Sequence, residues 1–158
     1  MEKKREDILQ DLDIKAKEIR RKLIETVSKN GGHLSSNLGI VELTLCLHES
    51  FDIEKDKILF DVGHQGYVHK LLTGRDKNFD TLRKRHGIGP FMDPKESNYD
   101  PFISGHAGTA LSAGSGIAMG NPDSKVVIVV GDAAISNGHS IEALNNLSLI
   151  HISEPTRP

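Results

Sequence analysis

The sequence predicts an α/β fold, a parallel sheet flanked by helices, on three observations. Two short apolar runs, in "DKILFDVG" and "KVVIVVGD", have the length of buried strands and are bounded by charge and glycine. Each run passes directly into a helix-compatible segment. Strands and helices therefore alternate at the spacing of parallel βα units, with room between the two runs for a crossover connection.

In chain order, Ile8, Leu12, Ala16, Ile19, Leu23 and Val27 recur at three to four among Lys, Arg and Glu, which predicts a long amphipathic helix. It should stop at "KNGGHLSSNLG", read as a loop rich in Gly, Ser and His. "IVELTLCLHESF" resumes helical spacing through Val41 and Leu45 to His48 or Glu49. "DKILFDVG" is a buried strand, "HQGYVHKLL" a turn leading into a helix, and "FDTLRKRHG" another short helix. From Gly87 to Gly105, Pro90, Pro94 and Pro101 stand among Gly, Ser and Asn, the signature of a long loop over the surface or over a site. "GTALSAGSGIAMG" is built of small residues, which suits a helix pressed close to its neighbours. "KVVIVVGD" is apolar enough for a strand covered on both faces, and "SNGHSIEALNN" begins a helix behind it.

At 158 residues, with 37% apolar and 27% charged residues, the chain has the composition of one soluble domain. A formal net charge of -2 supplies no basic excess for nucleic acid or an anionic membrane surface, so the expected ligand is a small molecule. Cys46 is the only cysteine, which excludes an internal disulfide, and in "VELTLCLHESF" it is expected to be a buried thiol. The charged start "MEKKREDILQDLDIKAKE" has no secretory h-region, and no apolar run reaches membrane-spanning length. A cytoplasmic location is expected.

Gly-His occurs at Gly32-His33, Gly63-His64, Gly105-His106 and Gly138-His139, half of the eight histidines. Glycine lets backbone approach a ligand or adopt positive φ, and imidazole exchanges protons near neutral pH. With no Cys-x-x-Cys, and with His64 and His69 at no recognised metal spacing, zinc is not expected. Asp132 follows the second strand. A carboxylate at that end points into the crevice where phosphorylated ligands bind, with Ala133 and Ala134 leaving backbone N–H groups open, and can anchor Mg²⁺. The alternative is an N-cap for the following helix.

"NGGHLSSNLGIVELTLCLH", "FDVGHQGYVHKLLTGR", "ISGHAGTALSAGSGIAMG" and "VVIVVGDAAISNGHSIEALNN" resemble, in order and at compatible intervals, the amino-terminal domain of the 1-deoxy-D-xylulose-5-phosphate synthase family. The similarity runs from about Ile19 to Asn146. The second of these segments separates the family from transketolases, whose Thr-Gly-x-Leu-Gly-Gln-Gly signature is absent. The resemblance implies a thiamine diphosphate-binding fold, here truncated, in a transferase that joins pyruvate to glyceraldehyde 3-phosphate with loss of carbon dioxide. That activity serves isoprenoid precursor, thiamine and pyridoxal biosynthesis. It further implies thiamine diphosphate and Mg²⁺ as cofactors and a homodimer for the full-length protein. His33 and His64 become catalytic candidates, His33 for proton handling at the substrate. His64, Gly105, His106, Ala107, Ala133 and Ala134 become cofactor contacts, and Asp132 the metal ligand. His139 falls outside these positions and is expected to be a partly exposed helix residue.

Two departures bear on that carry-over. Ala133 stands where the superfamily usually has the second glycine of Gly-Asp-Gly, which is tolerable at negative φ. The asparagine that completes the family's metal site would fall at or beyond the last residue, and Asn137, Asn145 and Asn146 are too close to serve.

"LSLIHISEPTRP" leaves the family pattern and is not expected to extend the preceding helix cleanly before Pro155. From Leu147 to Arg157 it resembles the translation of a transposon-end sequencing adapter. Residues 1–146 are therefore expected to be a partial thiamine diphosphate-binding domain and 147–158 a non-native tail. Family members carry a second domain, with the glutamate that activates the thiamine ring, and a third that supports dimerisation. The polypeptide as written is expected to be inactive and poorly soluble or partly folded, with a sheet edge exposed; stable expression with cooperative unfolding would contradict that. Two other functions fit the same residues: the small subunit of a split transketolase-like enzyme, and a noncatalytic module binding a phosphorylated ligand through Asp132 and the Gly-His loops.

Overall fold

Helix α1, Glu2–Asn30, follows the three-to-four spacing of its apolar residues in a computed structural model that describes residues 2–150. Ala16, Ile19, Leu23 and Val27 are buried and Leu12 packs beside them. The helix stops where Gly31, at φ +75°, takes the left-handed conformation and returns its N–H to the Val27 carbonyl at 2.9 Å. Asn30, in the last turn, donates to the carbonyls of Asp80 and Leu82 and so ties this end to a distant segment.

The expected loop after α1 holds a short helix, α2, Leu34–Leu38, whose five residues are too few to display a period. Helix α3, Val41–Ser50, turns Val41, Thr44 and Leu45 inward against α1. Cys46 is exposed, contrary to the expected buried thiol: it lies one residue around the helix from buried Leu45, on the side of Leu43, itself 48% exposed. Strand β1, Lys57–Phe60, is buried in three of its four residues. After it, α4, Tyr67–Lys70, runs into a wider π turn, Leu71–Arg75. The helix expected over "FDTLRKRHG" reduces to one 3-10 turn, Phe79–Thr81, because Arg83 and His86 adopt φ of +64° and +62°, which no helix accommodates.

Beyond the long loop, as expected, α5, Ala110–Gly120, lies against β2, Val126–Val129. At Gly114 helix and strand approach closely: a Cβ there would stand 2.5 Å from Ile128 Cδ1. β2 pairs in parallel with β1, Lys57 opposite Val126 through Phe60 opposite Val129. Among the described residues the sheet has these two strands, so β2 is half-buried and not covered on both faces as expected. Helix α6, Asp132–Ile135, and α7, Gly138–Ile150, complete the described chain. Contrary to the expected break, α7 continues past Asn146, because Ser140, Ala143 and Leu147 extend one inward stripe at helical spacing. Residues 151–158 of the expected tail lie outside the described residues.

The larger apolar cluster joins α1, α3, α4 and the 3-10 turn through Leu23, Val41, Tyr67, Val68, Phe79 and Leu82. Burying each such aliphatic or phenyl side chain contributes about 1.5–3 kcal/mol. A smaller cluster, Ile58, Phe60 and Met92, holds the sheet against the long loop. Polar contacts pin that loop as well. Lys70 Nζ meets Glu96 at 2.6 Å, His69 Nε2 lies 3.1 Å from the Tyr99 carbonyl, and Arg75 grips Asp100. The loop therefore has a fixed seat beside the ends of the strands. Among the described residues no helix is long and apolar enough to cross a membrane.

Candidate active site

Because the strands run in register, Asp61 and Gly131 emerge on the same edge of the sheet, and the Asp61 N–H still reaches the Val129 carbonyl at 2.8 Å. A cavity of about 580 Å³ opens there. Ile40, Leu43, Val129 and Val130 give it an apolar side; His64, Ala107, Asp132, Ala133 and Ala134 bring the polar and close-approach groups. Five of the site residues expected from sequence thus share one cavity, at the carboxyl edge where parallel sheets bind ligands.

His33 comes to the same place without lining it. Its ring stands edge-on to that of His64, with centroids 5.1 Å apart and planes at 67°. Burial pushes the His64 imidazole below its usual range, His33 adds to the shift, and the Asp61 carboxylate opposes it. A neutral His64 at neutral pH keeps a free lone pair, and its buried Nδ1 has no hydrogen-bond partner. Gly105 and His106 lie on the loop just before Ala107 but not on the cavity wall. His106 is exposed, and its carbonyl accepts from the Thr109 hydroxyl at 2.9 Å. His139 is exposed on α7, away from the cavity, as expected.

Backbone geometry separates the four Gly-His pairs. Gly32, Gly63 and Gly105 have φ of +138°, +82° and +141°, whereas Gly138 opens a regular helix and is not among the glycines with positive φ. Val62, between Asp61 and Gly63, is itself held at φ +61°, strain of about 1–3 kcal/mol for such a residue. Asp61 supplies the restraint. Its carboxylate accepts the Gly108 N–H at 2.9 and 3.1 Å and the Ala110 N–H at 3.1 Å, fastening the Ala107 loop to the end of β1.

Asp132 is the first residue of α6, and the N-cap position belongs to Gly131, which makes no side-chain cap. The alternative of Asp132 as an N-cap is therefore removed, and its carboxylate is exposed at the cavity. Ala133 is helical and absent from the positive-φ positions, so its side chain is accommodated without strain. Among the described residues no three His, Cys, Asp or Glu side chains converge on a metal position. Mg²⁺ requires less, since one or two carboxylates with phosphate oxygens and water complete its octahedron. Asp132 fits that role, and the open space around Gly131 leaves the approach to it clear.

The family model for 1-deoxy-D-xylulose-5-phosphate synthase matches residues 3–153. The chain belongs to the 1-deoxy-D-xylulose-5-phosphate synthase family. A relative of that name from Fusobacterium nucleatum is 64% identical over 136 residues, 86% of this chain and 23% of the relative. The one from Dictyoglomus turgidum is 52% identical over 147 residues, 90% of this chain and 24% of the relative. The one from Clostridium acetobutylicum is 53% identical over 136 residues, covering 84% and 22%. The chain thus spans about a quarter of the length of the synthases it matches. In this synthase-family chain the segment "FDVGHQGYVHKLLTGR" threads from β1 through the strained turn and His64 into α4 and the π turn.

Sequence reasoning passed over two residues that build the site. Asp61 directly follows β1 much as Asp132 follows β2, and an acid just past a strand was the signal available. Asn37 is fully buried in α2, four residues after His33, and a polar residue among apolar positions of so short a segment carries little signal.

Proposed function

We propose that this chain supplies the diphosphate-holding part of a thiamine diphosphate- and Mg²⁺-dependent transferase that condenses pyruvate with glyceraldehyde 3-phosphate and releases carbon dioxide. The observation that carries this is the meeting of His64, Ala107, Asp132, Ala133 and Ala134 in one cavity at the carboxyl edge of a parallel sheet. The family to which the chain belongs supports it. Asp132 would hold the cation, and Ala133 and Ala134 would lie along the diphosphate. Thiamine diphosphate, when bound, stabilises a carbanion on the substrate. The chain's own part is to fix the diphosphate, exclude water with Ile40, Leu43, Val129 and Val130, and hold a neutral imidazole at His64 beside His33 for proton transfer. Gly105 and His106 would contribute through the Ala107 loop. Transketolase-like chemistry, homodimeric assembly and a cytoplasmic location complete the proposal and rest on the family resemblance.

Calorimetric titration of the chain with thiamine diphosphate, with and without Mg²⁺, tests it. Binding should require Mg²⁺, and Asp132→Asn should weaken it about tenfold or more, because a neutral amide loses the charge that holds the cation. Binding that ignores both Mg²⁺ and the substitution would remove Asp132 from the role.

A further inference from the structure

Asn37 is completely buried, and both of its side-chain polar atoms are paired, the nitrogen with two candidate site residues. Its Nδ2 donates to the His33 carbonyl at 2.7 Å and to the His64 carbonyl at 2.8 Å, while its Oδ1 accepts the Tyr67 N–H at 2.9 Å. The amide orientation is fixed by this set, since both carbonyls face the nitrogen and an N–H faces the oxygen. The two histidines are far apart in sequence and follow glycines of positive φ, Gly32 at +138° and Gly63 at +82°. Glycine turns do not define where the next side chain goes. Among the described residues, the hydrogen bonds that join the His33 and His64 segments run through Asn37.

We propose that Asn37 is a positioning residue that clamps the backbones of His33 and His64 and thereby sets the edge-on imidazole pair at the mouth of the cofactor cavity. The inference rests on the proposed function for its meaning, since it is a thiamine diphosphate site that the pair would serve. The geometry does not depend on that reading. A buried amide that bonded one segment would satisfy itself without coordinating anything; this one spends both donors on carbonyls immediately attached to the two candidate catalytic residues. Without it, each part-buried carbonyl would lose its amide donor, and the two loops would lose their shared anchor.

The test uses the full chain without cofactor, with ¹⁵N-labelled histidine side chains followed by NMR through a pH titration. In the unsubstituted chain the rings should show a mutual NOE, and His33→Gln should raise the His64 midpoint by removing the neighbouring charge. In Asn37→Ala the NOE should vanish and the His64 midpoint should no longer respond to His33→Gln. Asn37→Asp retains the volume and the Tyr67 acceptor but has no donor for the two carbonyls, so it should also lose the NOE and provides the result if the alanine variant does not fold. Val41→Ala, in the neighbouring core, should lower the thermal midpoint and leave both signals intact. Retention of the NOE and of the His33-dependent shift in the Asn37 variants, with only a lower thermal midpoint, would overturn the proposal. Calorimetry on the same samples is read separately: Asn37→Ala should weaken Mg²⁺-dependent thiamine diphosphate binding about tenfold. If the unsubstituted chain binds no thiamine diphosphate while the histidine signals behave as stated, the cofactor reading fails and the clamp stands.

Discussion

Arg75 holds Asp100 through both terminal nitrogens, at 2.7 and 2.8 Å, where the two side chains are 9% and 0% exposed. The pair joins the π turn to the far end of the long loop. Asp100 also accepts the Asp93 N–H at 3.0 Å, so one carboxylate closes the loop upon itself and onto the helix beneath. Burial is the strongest single influence on Asp100 and opposes its ionisation. The hydrogen bonds from Arg75 and His69 overcome it and hold the carboxyl well below the usual carboxylate range.

Asp100→Asn should therefore be severe. It leaves the buried Arg75 guanidinium with only the more distant Glu96 carboxylate, at 3.9 Å, and removing one partner of a buried pair costs about 3–5 kcal/mol. Urea unfolding should show the unfolding free energy falling by that amount, read as a lower midpoint at unchanged slope. Arg75→Met combined with Asp100→Asn should recover part of the loss, because no unpaired charge then remains. Additive losses in the double variant would show that the pair is not coupled.

His48 provides the acid-sensitive element of the same region. Its Nε2 lies 2.9 Å from His69 Nδ1, and burial, then the His69 and Lys15 charges, lower its pKa from 6.5 to about 4. Between those values the unfolded chain binds a proton at this position that the folded chain does not. Stability is thus full above pH 6.5 and falls as the pH drops toward 4. Asp100 adds its own loss only at lower pH, below the usual carboxylate range, as its depressed pKa is approached. His48→Gln should make the fall of the thermal midpoint between pH 6.5 and 4 shallower, the part that remains including that of His64, whose pKa burial also lowers, and an unchanged slope there would show that His48 does not contribute to it.

The strands were legible because short apolar runs, Ile58 to Phe60 and Val126 to Val130, with charge on one side and glycine beyond the other leave few alternatives, and β1 and β2 formed where the runs stand. Helix α1 was legible from length and period. Short elements were not: α2 is held by Asn37 and by packing of Leu34 and Leu38 on the core, which are tertiary facts with no local pattern. Cys46 sits in an apolar run whose burial depends on what lies across from each face of α3, and periodicity cannot choose between Leu45 and its neighbour. In the site, the glycines that precede His33, His64 and His106 were visible as a recurring dipeptide. The fourth pair looked the same in sequence, but its glycine opens α7 and is not among the positive-φ positions.

Gly114 and Gly116 give a paired prediction on one helix. A methyl at Gly114 would meet Ile128 Cδ1 at 2.5 Å and Cγ1 at 3.0 Å, whereas a methyl at Gly116 would meet nothing within 4 Å. Gly114→Ala should destabilise by about 1–3 kcal/mol through overpacking against β2, partly relieved if Ile128 changes rotamer. Gly116→Ala should stabilise by about 0.5–1 kcal/mol, because alanine loses less backbone freedom in a helix. Differential scanning calorimetry of the two variants should move the midpoint in opposite directions, and movement in the same direction would place α5 incorrectly against the sheet.

The Asp61 side chain bears directly on the site, because the residue is 1% exposed and its carboxylate faces backbone donors. It accepts from Gly108 and Ala110, the two N–H groups that bracket the turn from the Ala107 loop into α5. Asn at this position keeps the shape and one acceptor, but turns an N–H₂ group toward an N–H, leaving a buried donor unsatisfied at about 1–3 kcal/mol. The loss should be concentrated in the 105–110 segment, so hydrogen exchange at the Gly108 and Ala110 amides should quicken more than exchange in α1. Because Ala107 rides on that segment and lines the cavity, Mg²⁺-dependent thiamine diphosphate binding should weaken in Asp61→Asn even though Asp132 is untouched. Uniformly faster exchange across the chain would mean that Asp61 stabilises the whole fold, and binding equal to that of the unsubstituted chain would mean that the Ala107 loop takes no part in holding the cofactor.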